Sequence, residues 1–196
     1  ETPVATPILS GSGSDVEKQK KDATRELKFQ TKQLIQSIKV KMISDIKDSF
    51  NSPGVLEYKK NGKLSDLEEC IKKLSKDDSA EDISITLENA KNKTDEIESR
   101  WTLKFKKTLS KNLKALSSKM DEAMTELKLA VKVLEAASAL MSKNDWSEAE
   151  KSIGKAAPKI QDVNLRDQAY ALEEAAEHVV RQEWEQARAA LKKTGI

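Results

Sequence analysis

Between Asn92 and Trp146 the chain holds neither glycine nor proline, yet apolar residues return every three or four positions. Ile83, Leu87, Ala90, Ile97, Trp101, Phe105, Leu109, Leu113, Leu116, Met120, Leu127, Leu134 and Met141 mark one side of a very long helix, or of two helices meeting almost end to end. A helix with one wet face and one apolar face must bury the second against another element. The expected fold class is therefore all-α: an elongated antiparallel helical bundle with one or two long helices and C-terminal helical hairpins.

Composition supports this reading. Charged residues make up 35% of the chain and aromatic residues only 4%, which fits long amphipathic helices. So polar a chain also raises disorder as an alternative. The regular placement of apolar residues after residue 15 argues against it. The net charge of +2 is too balanced to call for nucleic acid as a partner. Cys70 stands alone, so no intrachain disulfide forms and no cysteine-built zinc site is expected. No apolar run approaches the roughly 18 residues of a membrane span, so a soluble chain is expected. The absence of an initiating methionine and of a hydrophobic signal core suggests a processed or engineered N-terminus.

Three regions are expected. Residues 1–14 differ from everything after them: Pro3 and Pro7 disfavour helix in their neighbours, and Gly11-Ser12-Gly13-Ser14 has the composition of a flexible tether. Two readings stay open, a natural tail or a short ligand peptide, residues 1–10, joined to its receptor by an engineered linker that raises its effective concentration. In the second reading Thr2, Pro3, Val4, Pro7, Ile8 and Leu9 are the candidate ligand, with Val4, Ile8 and Leu9 as anchors lying extended in a groove between helices. Residues 15–119 form a Lys-rich long-helix region with four alanines, and residues 120–196 an Ala-rich hairpin region with fifteen. The first carries 24 basic and 18 acidic residues, the second 11 and 14, so the two have opposite balances.

Within the Lys-rich region, a first helix is expected from about Asp15 to Phe50, with Ala23, Leu27, Leu34, Ile38, Met42, Ile46 and Phe50 as its stripe. Asn51-Ser52-Pro53-Gly54 ends it, and residues 54–63 read as a loop. Ser65 with Glu68 has the spacing of a capping box, opening a short helix that buries Leu64, Leu67, Ile71 and Leu74. Lys76 to Ala80 is a polar break before the long periodic stretch. That stretch slips in register at Lys104/Phe105, read as a stutter in a helix continuing to about Lys143.

The Ala-rich region contains a repeat. Leu134-Glu135, Ala137, Trp146 and Ala149 recur 38 residues later as Leu172-Glu173, Ala175, Trp184 and Ala187. Each copy reads as helix, short turn, tryptophan, helix, an antiparallel hairpin. The layout is similar to that of tetratricopeptide hairpins, but their period is about 34 residues and their glycine and tyrosine signature positions are missing here, so membership is not assigned. Trp146 and Trp184 are candidate hairpin-packing residues, each expected to wedge between the helices of its own hairpin.

Motifs for chemistry are sparse. His178 is the one histidine, and Glu174 four residues before it does not supply the paired Glu-x-x-His motifs of a di-iron bundle. No phosphate-binding glycine loop is present, and the Asn92-Lys93-Thr94 sequon falls inside a helix. No catalytic, cofactor-binding or metal-ligating residues are expected. One charged feature stands out: Arg100, Lys104, Lys107, Lys111 and Lys114, the lysines spaced 3, 4 and 3 apart, form a candidate basic interaction ridge. It suits pairing with acidic helices or an anionic surface. Nucleic acid is disfavoured, because no aromatic-basic sheet or compact recognition helix accompanies it.

The expectation is a non-enzymatic protein-interaction or scaffold module that binds a short peptide or helix in an inter-helix groove. The alternative is a structural protein that forms a homo-oligomer or lies on an anionic membrane surface through the basic ridge.

Overall fold

The first helix of the computed structural model, α1, runs from Leu9 to Phe50, 42 residues without an internal proline. The structure describes residues 9–60, 62–101 and 107–195, with side chains from residue 13 onward and without that of Trp101. After α1 come α2 (Pro53–Lys59), α3 (Ser65–Leu74), α4 (Ala80–Trp101) and α5 (Lys107–Glu126). A π-helical segment (Leu127–Val131) leads into α6 (Lys132–Ser142), then α7 (Trp146–Ala156), a 3-10 turn (Ala157–Lys159), α8 (Val163–Val180) and α9 (Trp184–Lys192). Among the described residues there is no strand, and no helix is long and apolar enough to cross a membrane. The all-α class with C-terminal hairpins is what the apolar spacing implied.

α1 starts six residues before Asp15, so Gly11 to Ser14 are helical rather than a separate tether. Nothing between Leu9 and Phe50 removes a backbone donor, and each glycine weakens a helix by only about 1 kcal/mol. The apolar stripe of α1 is buried as expected: Ala23, Leu27, Leu34, Ile38, Met42, Ile46 and Phe50 are each at most 5% exposed. Each large side chain among them adds about 1.5–3 kcal/mol when fully withdrawn from water.

Contacts divide the chain into two units, Gln36–Lys132 and the pair Glu1–Ile35 with Val133–Ile196. The composition change near residue 120 is not where they part. α5 runs through it unbroken to Glu126. Four of the alanines in the Ala-rich part, Ala137, Ala149, Ala175 and Ala187, are wholly buried.

In Gln36–Lys132 the main departure from expectation is the long helix. α4 and α5 pack side by side and antiparallel. Ser110 Oγ donates to Glu98 at 3.1 Å, Ser117 Oγ donates to Asp95 at 2.8 Å, and Lys91 pairs with Asp121 at 3.7 Å. These contacts pair rising numbers on α5 with falling numbers on α4, so one continuous helix is ruled out. Lys104 and Phe105, where the periodicity slips, lie outside the described residues. Leu109, Leu113, Leu116 and Met120 of α5 and Ile83, Leu87 and Ala90 of α4 supply the core.

Two smaller corrections are local. Most of the expected loop over residues 54–63 is helix α2, opened by Pro53 in its first turn, where a missing N–H costs nothing. The Ser65–Glu68 capping box does not form, because α3 is capped at Leu64 and Ser65 is already helical. Glu68 turns its carboxylate to Lys59 at 3.4 Å and Lys72 at 3.6 Å instead. A reciprocal cap appears at α4, where Ser79 Oγ accepts from the Asp82 amide at 3.0 Å and donates to its carboxylate at 2.8 Å.

The second unit brings the N-terminal part of α1 together with the two hairpins. α7 packs on α8 and α8 on α9. Thr194, just past α9, donates its buried hydroxyl to Gln30 Oε1 of α1 at 2.8 Å. Asp145 and Asp162 cap α7 and α8, accepting the amides of Glu148 and Leu165.

Candidate functional site

The repeat seen in the sequence is a repeat in backbone geometry. Asn144 and Gln182 both adopt left-handed backbone, with φ of 59° and 60°. The next residues, Asp145 and Glu183, have φ/ψ of −89°/72° and −94°/75°. The Asp145 amide reaches back to the Leu140 carbonyl at 3.0 Å, and the Glu183 amide reaches the His178 carbonyl at 2.9 Å. Both are six-residue closures of a helix end, a Schellman arrangement that serves carbonyls otherwise left without donors. Each turn then places a tryptophan at the first position of the following helix.

Neither indole is fully buried. Trp146 and Trp184 line one open cavity of about 650 Å³, walled on its other side by Val16, Glu17, Lys20 and Thr24 of α1. Its remaining lining comes from Asn144, Asp145 and Ser147 of the first turn and from Val179, Val180 and Gln182 at the second. The two tryptophans thus face one shared groove. The Lys28 ammonium stands 5.4 Å from the centroid of the Trp146 ring, a cation–π contact that orients the indole. Gln19 Nε2 reaches Glu185 at 3.5 Å, joining α1 to α9 beside the groove.

The groove lining mixes apolar and polar side chains. Val16 and Val180 are 48% and 41% exposed, large for aliphatic side chains facing one cavity. Glu17 and Lys20 of α1, and the carboxamides of Asn144 and Gln182, have no hydrogen-bond or ion-pair partner among the described residues. The side chains around the indoles are therefore open to a ligand's own charges and amide groups.

The remaining sequence candidates fall elsewhere. Thr2, Pro3, Val4, Pro7 and Ile8 lie outside the described residues, and Leu9 is the first residue of α1, not part of an extended strand. The basic ridge is divided: Arg100 belongs to α4 and pairs with Glu96 at 3.0 Å, while Lys107, Lys111 and Lys114 belong to α5, and Lys104 lies outside the described residues. Lys114 pairs with Glu98 at 3.6 Å. Arg100 is therefore not on the helix that carries Lys107, Lys111 and Lys114.

His178 lies on α8 beside two carboxylates. It is partly buried, with Nδ1 3.3 Å from Glu183 and Nε2 4.0 Å from Glu174. Among the described residues no group of three possible metal ligands gathers. Thr94 of the sequon is wholly buried and donates to the Ala90 carbonyl at 2.8 Å, so the motif is part of the helix interior. On α8, Glu173 lies against Gly154 of α7. Burial, and then the carboxylates of Glu150 and Glu177, hold its pKa above the ordinary glutamate value.

The α1 wall was the part of the site that sequence reasoning missed. Val16 and Lys20 continue the spacing of Ala23 and Leu27, so they sit on the apolar stripe. An exposed valine and a lysine on that stripe mark where the packed core gives way to the groove. Two smaller cavities, one of about 500 Å³ beside α2 and one of about 340 Å³ between α1 and the end of α3, lack any comparable pair of large aromatic groups. No family model, curated protein or solved structure matches the chain.

Proposed function

We propose that the chain is a non-enzymatic interaction module that holds a short peptide or helix of a partner protein in the groove between α1 and the paired turns. The observation that supports this most is the convergence of two half-buried tryptophans, two exposed valines and unpaired polar groups on one open cavity. Such a combination is typical of a binding hot spot: large anchors at the centre and satisfied-on-binding polar groups around them. Selection of binders from a random peptide library against the full chain tests the reading. Recovered peptides are expected to lose affinity for a Val16→Asp variant, whose exposed position leaves folding intact. Peptides indifferent to that change would place binding elsewhere.

Residues 1–10 remain a candidate ligand carried on the same chain. Deleting residues 1–14 and titrating a synthetic peptide of residues 1–10 checks this directly, and absence of saturable binding removes it. The second reading, self-association or attachment to an anionic surface, keeps support from Lys107, Lys111 and Lys114, exposed and aligned on α5. Neutralisation of Lys114 by Glu98 weakens it. Binding to anionic vesicles at low salt, lost on reversing Lys107 and Lys111, would favour that reading over the groove.

A further inference from the structure

We infer that the groove takes an extended, proline-bearing peptide rather than a helix, an inference that rests on the groove being the binding site. Asn144 and Gln182 are both left-handed. An L side chain in this conformation is disfavoured, and glycine adopts it freely. Both turns nevertheless present a primary carboxamide there, Asn144 in one and Gln182 in the other, and both line the groove without a partner among the described residues.

A carboxamide offers donors and an acceptor in one plane, the complement of a peptide group's C=O and N–H. The interior of a helical ligand has already used those groups within itself. A polyproline-type strand has not, because that conformation forms no internal hydrogen bonds. Two free carboxamides 38 positions apart in the chain, brought to one cavity by equivalent turns, therefore match an extended backbone and have little to offer a helix.

The indoles select in the same direction. Proline rings pack flat on tryptophan, and the indole N–H can donate to the carbonyls that a polyproline strand leaves exposed. Little ordering entropy is lost, since such a segment is extended before it binds. Glu17 and Lys20, one turn apart on the α1 wall and unpaired, add polarity. They favour a ligand with a basic and an acidic residue near the apolar segment, and so fix its direction in the groove.

The test is an array of synthetic decapeptides with prolines at different spacings and one arginine and one glutamate at opposite ends, titrated into the full chain by tryptophan fluorescence. A helical alanine-rich peptide with the same two charges serves as the competing occupant. The decisive variant is Asn144→Gly with Gln182→Gly, which keeps both left-handed turns and deletes only the carboxamides. Saturable binding by members of the proline array, weakened by about tenfold or more in the double glycine variant, is expected. Unchanged affinity in that variant overturns the inference, as does an array that never saturates. Tighter binding by the helical peptide, lost in Val16→Asp, overturns it too while leaving the groove reading standing. Failure of both peptide types, together with library binders indifferent to Val16→Asp, removes the groove reading as well.

Discussion

The two equivalent turns permit an internally controlled stability experiment. Asn144 and Gln182 have the same backbone conformation and the same hydrogen-bond pattern, and they differ in how well their side chains bear it. Left-handed backbone costs an ordinary L residue about 1–2 kcal/mol. Asparagine bears it with much less penalty, through local hydrogen bonding of a short side chain. Glycine removes the penalty but loses about 0.5–1 kcal/mol more through the freedom it has when unfolded. Gln182→Gly should therefore stabilise the chain by about 0.5–1 kcal/mol, while Asn144→Gly should change stability by less than about 0.5 kcal/mol. Urea unfolding of the two variants beside the parent, with unchanged slopes, gives both values. A loss of stability in Gln182→Gly, or a larger gain in Asn144→Gly than in Gln182→Gly, would refute the claim that the turns are geometrically equivalent and strained at Gln182.

Further predictions test other links. Asp162→Ala removes the side chain that accepts the Leu165 amide at 3.0 Å and should cost about 1 kcal/mol in the same unfolding assay. Ser79→Ala should cost about as much, and Ser65→Ala almost nothing, because only the first of these two serines caps a helix. Ala175→Leu, at a wholly buried position of α8, should destabilise by about 1–3 kcal/mol through overpacking. The folded chain binds a proton at Glu173 more tightly than the unfolded chain does, so ionisation weakens the fold as pH rises from the ordinary value of 4.5. Glu173→Gln should accordingly raise stability at neutral pH and have no effect well below pH 4.5, which thermal unfolding at several pH values will report.

What could be read from the chain was what repeats locally. The stripe from Ala23 to Phe50 specified α1 because apolar residues return every third or fourth position except at Gln30 and Thr31, which are buried all the same, and the spacing of Trp146 and Trp184 disclosed two hairpins with the same turn. The pairing of α4 with α5 was illegible for a physical reason. A stutter in one helix and a reversal between two helices both appear as a slip in periodicity, and no glycine or proline marks the change. The π-helical segment at Leu127–Val131 left no trace either, since Leu127, Ala130 and Val131 are buried as they would be in ordinary helix. Ser65 and Glu68 had the right spacing for a cap, but the helix opens one residue earlier than that spacing needs. The groove depends on α1 meeting turns more than a hundred residues away, a contact that no local pattern encodes. Lys20 on an apolar stripe was the one visible sign.

The proposed binding mode puts ligand between the paired turns and the start of α1. Indole proton–nitrogen resonances of Trp146 and Trp184, followed by NMR as a library-selected peptide is added to the full chain, test it most directly. Both resonances are expected to move together and saturate with one dissociation constant. A peptide that binds tightly while both indole signals stay in place would contradict it.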